Sequence, residues 1–290
     1  MKTISNEQLT IQVSPYGAEL CSILANGKEY LWQADPAFWK RHSPVLFPIV
    51  GSVWENQYRN EGIAYTLSQH GFARDMEFTL VSEKDDEVRY RLVSNEETLL
   101  KYPFPFCLEI GYRIQGEQIE VIWEVKNTGE KEMYFQIGAH PAFYWPDFNA
   151  DTQNRGFFGF DKEEGLKYIL ISEKGCADPS TEYSLELTDG LLPLDTHTFD
   201  KDALIIENEQ IHKVTLYTKE KKAYLSLHFH APVVGLWSPP AKNAPFVCIE
   251  PWYGRCDRAH YTGEYKDKDW MQHLQPEETF RGGYTIEINE

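Results

Sequence analysis

The chain has 290 residues, of which 42% are hydrophobic and 14% aromatic, enough apolar side chains for a sizeable core. Lys and Arg total 28 and Asp and Glu total 45, so the net charge is −17. No basic stripe runs along the sequence, which argues against nucleic acids and anionic membranes as partners. A neutral or cationic small molecule suits such a surface, whereas an anionic ligand needs a local cluster of arginines.

The cysteines and the N-terminus bear on where the protein works. The five cysteines are scattered and show no CxxC or other zinc-ligand spacing, so they indicate reduced thiols in the cytosol. The first residues, MKTIS, lack the apolar segment of a signal peptide. No run of ~18 apolar residues, as a membrane helix requires, follows later. We therefore expect a cytoplasmic protein.

The N-terminal part of the chain predicts strands joined by tight turns. Residues 9–13 alternate apolar with polar side chains, the Asn26-Gly27 pair favours a hairpin turn, and residues 58–67 predict a second hairpin. One helical turn is predicted over residues 35–40. The apolar, proline-containing run 44–51 suits the lining of a cleft better than a central strand.

Short strands also dominate the rest of the chain. They are predicted over residues 78–81, 88–93, 108–114, 119–125, 133–139, 167–171, 203–207, 213–218, 223–229, 246–250 and 280–288. Residues 145–165 are rich in Asn, Asp, Gly and Phe and predict a long irregular segment on the surface. A short helix is predicted over residues 268–274, and the Gly282-Gly283 pair predicts a hairpin turn.

These elements together favour an all-β fold. Turn signals recur about every ten residues, and the sequence shows no long amphipathic helix, internal repeat or low-complexity linker. Such a pattern is typical of antiparallel sandwiches and barrels. We predict one large antiparallel β-sandwich domain spanning residues 1–290.

The stretch 246–254 places a carboxyl group directly after an apolar strand. Pro251 follows Glu250 and is expected to end the strand, because proline lacks an N–H group and holds the preceding residue extended. Burial disfavours the charged form, so the pKa of Glu250 should rise toward neutrality, as a general base requires. The alternative is a glutamate that faces solvent at a strand end.

Two histidines have a similar placement. His70 lies beside Gly71, which allows a close approach of backbone or ligand, and His140 precedes Pro141 at the end of a predicted strand. Each histidine alone is more typical of a structural group. Together with Glu250 and the aromatic neighbours, they suit a sugar site, where rings stack and polar groups recognise hydroxyls.

Other chemistries have less support. His228 and His230 lie on one face of a predicted strand because side chains alternate. A metal site would need a third ligand, and none is signalled nearby. No GxSxG, P-loop or dinucleotide-binding glycine motif occurs, so acyl transfer and nucleotide chemistry are unsupported.

Three segments, 70–74 (HGFAR), 138–141 (GAHP) and 248–252 (CIEPW), resemble the aldose 1-epimerase (galactose mutarotase) family in order and spacing. The resemblance covers nearly the whole chain and is greatest for the bacterial lactose-operon-associated branch. It implies a β-supersandwich with a sugar cleft open to solvent. It also implies interconversion of the α and β anomers of a free aldose, without a cofactor or a metal.

The resemblance also implies roles for residues by position. Glu250 would be the base that takes the proton of the C1 hydroxyl, and His140 the acid that protonates the ring oxygen, so that the ring opens. Rotation about C1–C2 and reversal of the proton transfers would close the other anomer. His70 would form a hydrogen bond near the ring oxygen. The predicted substrate-binding residues are Arg41, Arg74, Asp202, Trp237 and Trp252.

One position departs from the family pattern. Relatives carry a sugar-binding arginine after the glycine that is Gly51 here, and this chain has Ser52. Either Arg74 or Arg41 replaces that arginine, or hydroxyl recognition differs, so the sequence does not rank the sugars.

Two alternatives therefore stay open beside the free aldose. A hexose-6-phosphate 1-epimerase shares the His-Gly-x-Ala-Arg motif, and Arg74 and Arg41 are its candidates for a phosphate group. A catalytically silent carbohydrate-binding or sensor protein is the other alternative, although binding alone needs no acid–base couple. In each case we expect a small-molecule sugar as the partner, and a monomer or homodimer.

Overall fold

The computed structural model describes residues 1–289. Its strands are β1 (Lys2–Ser5), β2 (Leu9–Val13), β3 (Leu20–Ala25), β4 (Lys28–Glu29), β5 (Val45–Leu46), β6 (Gln57–Asn60), β7 (Ile63–Thr66), β8 (Thr79–Glu83), β9 (Glu87–Val93), β10 (Phe106–Gln115), β11 (Gln118–Asn127), β12 (Met133–Phe135), β13 (Ile137–Ala139), β14 (Ala142–Tyr144), β15 (Asn154–Phe160), β16 (Lys167–Ile171), β17 (Ala177–Ser184), β18 (Leu191–Asp195), β19 (Leu204–Ile206), β20 (Lys213–Tyr217), β21 (Ala223–Phe229), β22 (Val233–Trp237), β23 (Phe246–Tyr253), β24 (Gln272–Leu274) and β25 (Thr279–Ile288). The helical elements are α1 (Glu96–Lys101) and short 3-10 helices at Trp54–Asn56, Ala73–Asp75 and Tyr265–Asp267.

Two large antiparallel sheets dominate the fold. The nine-stranded sheet has the order β18-β15-β20-β21-β25-β11-β10-β9-β8, and the eight-stranded sheet has the order β17-β16-β19-β22-β23-β13-β5, with β14 also paired to β23. A four-stranded sheet of β1 to β4 packs on the same core. The predicted all-β antiparallel sandwich is confirmed.

Side-chain alternation explains how the sheets divide core from solvent. Along β10, residues Leu108, Ile110 and Ile114 are buried in the largest apolar cluster. The opposite face of β9 to β11 carries cross-strand ion pairs, including Arg91 with Glu109, which suit a solvated surface. No helix among residues 1–289 is long and apolar enough to cross a membrane.

Side chains also alternate along strand β23, and the alternation places Glu250 on the face of the sheet that points away from the main core. Val247 and Ile249 belong to the main core. Cys248 and Trp252 pack in smaller clusters on the opposite side, and Glu250 shares their face because strand side chains alternate with a period of two. The buried strand therefore presents one carboxyl group to that side.

The predicted end of this strand at Glu250 is wrong, because β23 continues through Pro251 to Tyr253. The neighbouring strand is interrupted there: β14 pairs Ala142 with Cys248, and β13 pairs Gly138 with Trp252. Proline lacks a ladder N–H group, and it lies opposite this break. Glu250 is thus inside a strand, facing the gap between β13 and β14.

Three further predictions need correction. Residues 268–274 are not a helix, because Trp270 has a positive φ of 59° and β24 pairs with β12. Gly282 and Gly283 lie inside β25, where a Cβ on Gly283 would collide with the Val121 carbonyl of β11. The segment 145–165 contains β15, whose Gly156 would collide with Tyr217 if it had a Cβ. In both strands the glycines allow close approach of the neighbouring strand instead of forming a loop.

Other local predictions are confirmed. The hairpin over residues 58–67 is formed by β6 and β7, which turn at residues 61 and 62. Residues 35–40 contain one hydrogen-bonded turn, in which the N–H groups of Phe38 and Trp39 donate to the Asp35 carbonyl. The run 44–51 is no central strand, because it contributes only the short β5 at the edge of its sheet, but of its residues only Gly51 lines the cleft described below.

Candidate active site

The segments singled out from the sequence meet in one cleft of about 470 Å³. Its lining includes every predicted catalytic or substrate-binding side chain: Arg41, His70, Arg74, His140, Asp202, Trp237, Glu250 and Trp252. Larger hollows of about 590 Å³ and 700 Å³ lie elsewhere, but among the described residues neither is lined by a buried carboxyl or imidazole group. The chemistry therefore concentrates in the smaller cleft.

Glu250 and His140 form the buried centre of this cleft. The Oε2 atom of Glu250 lies 3.4 Å from Nε2 of His140, and the two residues are 1% and 7% exposed. Oε2 of Glu250 and Nδ1 of His140 are both buried without a hydrogen-bond partner. Unsatisfied buried polar atoms are rare in folded proteins, so this pair is poised to bind a ligand.

Burial drives both members of the pair toward their neutral forms. It raises the pKa of Glu250 well above its usual range, and the Asp202 charge adds to this, while the Trp252 indole opposes it. Burial also lowers the pKa of His140 to about 3, with the charge of Arg74 as the next cause. Burial therefore favours the protonated form of the carboxyl group and the uncharged form of the imidazole.

His70 is held as a neutral hydrogen-bond donor. Its Nδ1 atom accepts a hydrogen bond of 3.1 Å from the Gly51 N–H group, which leaves the ring proton on Nε2. Burial, followed by the Arg74 charge, lowers the pKa of His70 well below its usual value. The adjacent Gly71 has a φ of 71°, and a Cβ there would collide with the Phe47 carbonyl. Glycine at this turn therefore lets the His70 segment pack against the core.

An aromatic cage surrounds the His140 imidazole. Trp39 stacks on it at 4.7 Å between ring centroids, Trp237 meets it edge-on at 5.3 Å, and His70 meets it edge-on at 5.5 Å. Trp39 was not predicted from the sequence, because a single tryptophan in a turn gives no signal of the ring it will cover. The cage fixes the imidazole plane and excludes water from one of its faces.

The Trp252 side chain packs between neighbouring strands as well as lining the cleft. Its indole N–H donates to the Ala139 carbonyl at 3.1 Å. A Cβ on Gly138 or Gly235 would collide with its ring, so the indole fills space that only glycines leave free. Trp252 thus joins β13 to β22 beneath the break that faces Glu250.

The cleft also has a cationic wall. Arg41 forms an ion pair with Asp75 at 2.8 Å, and Nη2 of Arg74 donates to the Gln69 carbonyl at 2.7 Å. Burial, followed by the charge of Arg41, lowers the pKa of Arg74 to about 10. Lys40 also lines the cleft and was not singled out from the sequence. Although the net charge of the chain is −17, the cleft therefore contains a local cluster of cations.

Ser52 stands at the position where the family resemblance led us to expect a sugar-binding arginine. It is buried and lies behind the lining, where a Cβ on Gly175 would approach its Oγ to 2.8 Å. Asp202, on another loop, is half-buried with a φ of 73°, and its Oδ1 accepts from the Ala203 N–H group at 2.7 Å. Among residues 1–289, its Oδ2 atom accepts no hydrogen bond.

The cleft also contains a set of side chains with metal-ligand character. His140, Cys248 and Glu250 each place a possible ligand atom within 4.8 Å of the others. The predicted pair at residues 228 and 230 gains no third ligand among residues 1–289. Instead, His228 contacts Glu287 at 2.9 Å, outside the cleft.

Sequence comparison identifies the family of the chain. A sequence model of the aldose 1-epimerase family matches residues 1–287. The chain is 32% identical over 294 residues to the plasmid-encoded Protein LacX of Lactococcus lactis, covering 98% of each chain. The chromosomal Protein LacX of the same organism matches equally, at 32% identity.

Structural comparison gives the same result. A galactose mutarotase related enzyme from Lactobacillus acidophilus superimposes with a TM-score of 0.93 at 33% identity, covering 100% of this chain and 97% of that one. A galactose mutarotase-like protein from Lactobacillus casei superimposes with a TM-score of 0.93 at 30% identity over 99% of both chains. The predicted family and branch are confirmed: the chain belongs to the aldose 1-epimerase family and has its galactose mutarotase-like fold.

Proposed function

We propose that the protein is an aldose 1-epimerase that interconverts the α and β anomers of a free hexose by general acid–base ring opening. The observation that carries this proposal is the buried contact of 3.4 Å between Glu250 and His140. A base and an acid beside each other can serve the O1 hydroxyl and the ring oxygen O5 of one sugar, which are bonded to the same carbon. General acid–base groups in this role contribute about 10²–10⁴ in rate.

Glu250 and His140 share a single proton. During the reaction this proton passes, by way of the sugar, from one residue to the other. With the closed sugar bound, Glu250 is a carboxylate and His140 an imidazolium. The carboxylate takes the O1 proton, the O1–H electrons form the C1=O bond, the C1–O5 bond breaks, and His140 gives its proton to O5. Both side chains are then neutral, the state that burial favours, and the open-chain aldehyde lies between them.

Ring closure reverses these steps. After rotation about C1–C2, the neutral His140 takes the O5 proton while O5 attacks the other face of C1. The Glu250 carboxyl group returns its proton to O1, and the opposite anomer is formed. No net proton enters or leaves, so the enzyme needs no external acid or base between turnovers.

The remaining lining residues bind and orient the sugar. His70 donates from Nε2 toward the ring oxygen, because Nδ1 is occupied by Gly51. Trp237 and Trp252 supply apolar surface for the sugar face. Arg74 and Asp202 offer donors and acceptors to hydroxyl groups, and Arg41 is partly engaged by Asp75.

A hexose 6-phosphate is the second candidate substrate, because Lys40, Arg41 and Arg74 all line the cleft. Against it, Asp75 lies 2.8 Å from Arg41 and 3.8 Å from Arg74 and neutralises part of that charge. A silent sugar-binding protein, the third alternative, would have no use for a buried acid–base pair that lacks hydrogen-bond partners. We therefore favour the neutral aldose.

One measurement separates the three functions. Polarimetry follows the rotation of freshly dissolved α-glucose and α-galactose, each with and without a 6-phosphate group, against the spontaneous rate. Acceleration of the free sugars supports the proposal, and acceleration confined to the phosphorylated sugars supports the second candidate. No acceleration, with sugar binding retained in a titration, supports the silent protein.

A further inference from the structure

Outside the cleft, three side chains with metal-ligand character converge where the four-stranded sheet meets the segment before β5. Glu19 precedes β3, Cys21 lies in β3, and His42 precedes β5. Each offers one possible ligand atom within 4.8 Å of the other two. The Nδ1 atom of His42 lies 3.6 Å from Oε2 of Glu19.

The three side chains are held in place by other contacts. Oε1 of Glu19 accepts the backbone N–H groups of His42 at 2.9 Å and Ser43 at 3.0 Å, which leaves Oε2 directed at the imidazole. The Cys21 thiol is 6% exposed and contacts the Glu19 carbonyl at 3.3 Å. Nδ1 of His42 is buried and has no hydrogen-bond partner. The buried imidazole nitrogen of His42 thus lacks a hydrogen-bond partner and lies beside a fixed carboxylate and a thiol. These three groups are common metal ligands in proteins.

We propose that Glu19, Cys21 and His42 bind one Zn²⁺ ion, through Oε2, Sγ and Nδ1, with water as the fourth ligand. Thiolate, imidazole and carboxylate are the ligands that zinc prefers, and a tetrahedral site places nitrogen and oxygen ligands about 3.4 Å apart. The observed 3.6 Å matches this spacing. The His42 and Glu19 side chains are 24% and 16% exposed, so the cluster lies close to the surface.

The charge balance of the site is favourable once the thiol has lost its proton. Burial, with Glu19 as the next cause, raises the pKa of Cys21 to about 12. The entering ion displaces this proton to solvent, and the thiolate and carboxylate then neutralise the two charges of Zn²⁺. Binding is accordingly expected to tighten as the pH rises.

The position of the site points to a structural role. The His42 carbonyl accepts from the Ala142 N–H group at 3.0 Å, and the Pro44 carbonyl accepts from the His140 N–H group at 3.2 Å. An ion at Cys21 and His42 therefore joins the four-stranded sheet to the segment that holds the backbone on both sides of the β13–β14 break. The ion therefore stabilises the backbone segment that holds His140, although it lies outside the cleft.

Cobalt titration of the metal-free protein tests the proposal directly, because a Co²⁺–thiolate bond absorbs in the near ultraviolet. We expect one Co²⁺ per chain, displaced by Zn²⁺, and a rise in the thermal unfolding midpoint of at least about 5 °C at saturating Zn²⁺. C21S and H42Q should lose both the thiolate band and the rise. Their unfolding midpoints in EDTA, compared with wild type, show whether the folds are intact.

Two matched controls identify which cysteine binds the ion. C176S removes another buried thiol away from the cluster, and C248S removes the thiol beside Glu250, which belongs to the other candidate ligand set. Both should keep the band and the stabilisation. Loss of the band in C248S but not in C21S, or no band in the wild type, would overturn the assignment.

Discussion

The Oε2 atom of Glu250 and the Nε2 atom of His140 lie 3.4 Å apart, across the break between β13 and β14. Burial favours the uncharged form of both side chains, since it raises the pKa of Glu250 and lowers the pKa of His140. The ion pair that the proposed mechanism requires with the closed sugar is therefore the less stable state of an empty site. In that mechanism ring opening converts the ion pair to two neutral groups, so the burial that opposes the charges would favour the chemical step.

Replacing Glu250 with Gln should slow anomer interconversion at least about 100-fold, because the amide keeps the shape but cannot accept the O1 proton. Polarimetry of α-galactose or α-glucose measures the loss. The thermal unfolding midpoint of the variant is the control for folding. A folded Glu250→Gln protein that retains more than about a tenth of the wild-type rate would refute the role of Glu250, since a general base supplies more than this.

The same substitution should stabilise the protein at neutral pH. Since the pKa of Glu250 is raised by folding, its contribution to stability is fully present below the usual value of 4.5 and is lost as the pH rises through the folded-state pKa. Glutamine does not titrate, so the variant keeps its stability where the wild type loses it. Urea unfolding at pH 4.5 and pH 8 should show a difference in unfolding free energy that is larger at pH 8. An equal difference at both pH values would indicate an unperturbed carboxyl group.

The elements of the site that lie in the matched segments could be predicted, because His70, His140 and Glu250 each lie in a short motif. The convergence of these segments depends on the order of strands in the sheet, which places β13, β14 and β22 beside β23. No single segment of the sequence specifies that order. Trp39 and Lys40 were missed for the same reason. Gly282 and Gly283 predicted a turn because glycine is read locally, whereas here its lack of a side chain accommodates the neighbouring strand.

Chelation should leave catalysis unchanged at temperatures well below the unfolding midpoint, because in the proposed mechanism Glu250 and His140 supply the base and the acid. The rate of mutarotation in EDTA should equal the rate in buffer. Loss of activity that one divalent ion restores would instead assign a catalytic ion to His140, Cys248 and Glu250. In the proposed zinc site, EDTA should lower thermal stability without changing this rate.

Lys268 should be essential for stability. It forms an ion pair with Asp257 in which the side chains are 1% and 2% exposed, and Asp257 also accepts the Trp54 N–H group. Replacing Lys268 with Met leaves a buried, unpaired carboxylate, which costs about 3–5 kcal/mol. Urea unfolding measures the loss. The double variant Lys268→Met, Asp257→Asn removes both charges and should recover part of it, and a double variant as unstable as the single one would show that packing, not charge, dominates.

Arg74 distinguishes the two candidate substrates. If the substrate is a neutral aldose, Arg74 donates to hydroxyl groups, and Arg74→Lys should raise KM for glucose and galactose to a similar extent. Inorganic phosphate should then compete poorly. The pairing of Arg41 with Asp75 and the net charge of −17 both disfavour a dianion, so this is the result we expect. Steady-state polarimetry with each sugar provides the comparison.

A phosphorylated substrate would give a different pattern. Its phosphate group carries a charge of about −2, and lysine cannot reproduce the planar two-pronged contact of arginine. Arg74→Lys would then raise KM selectively for the 6-phosphate. Attraction between that dianion and the cationic wall is screened over ~8 Å at physiological ionic strength, so KM would also rise steeply with salt. A KM for glucose 6-phosphate far below that for glucose and galactose, with this salt dependence, would establish the phosphorylated substrate in place of the neutral sugar.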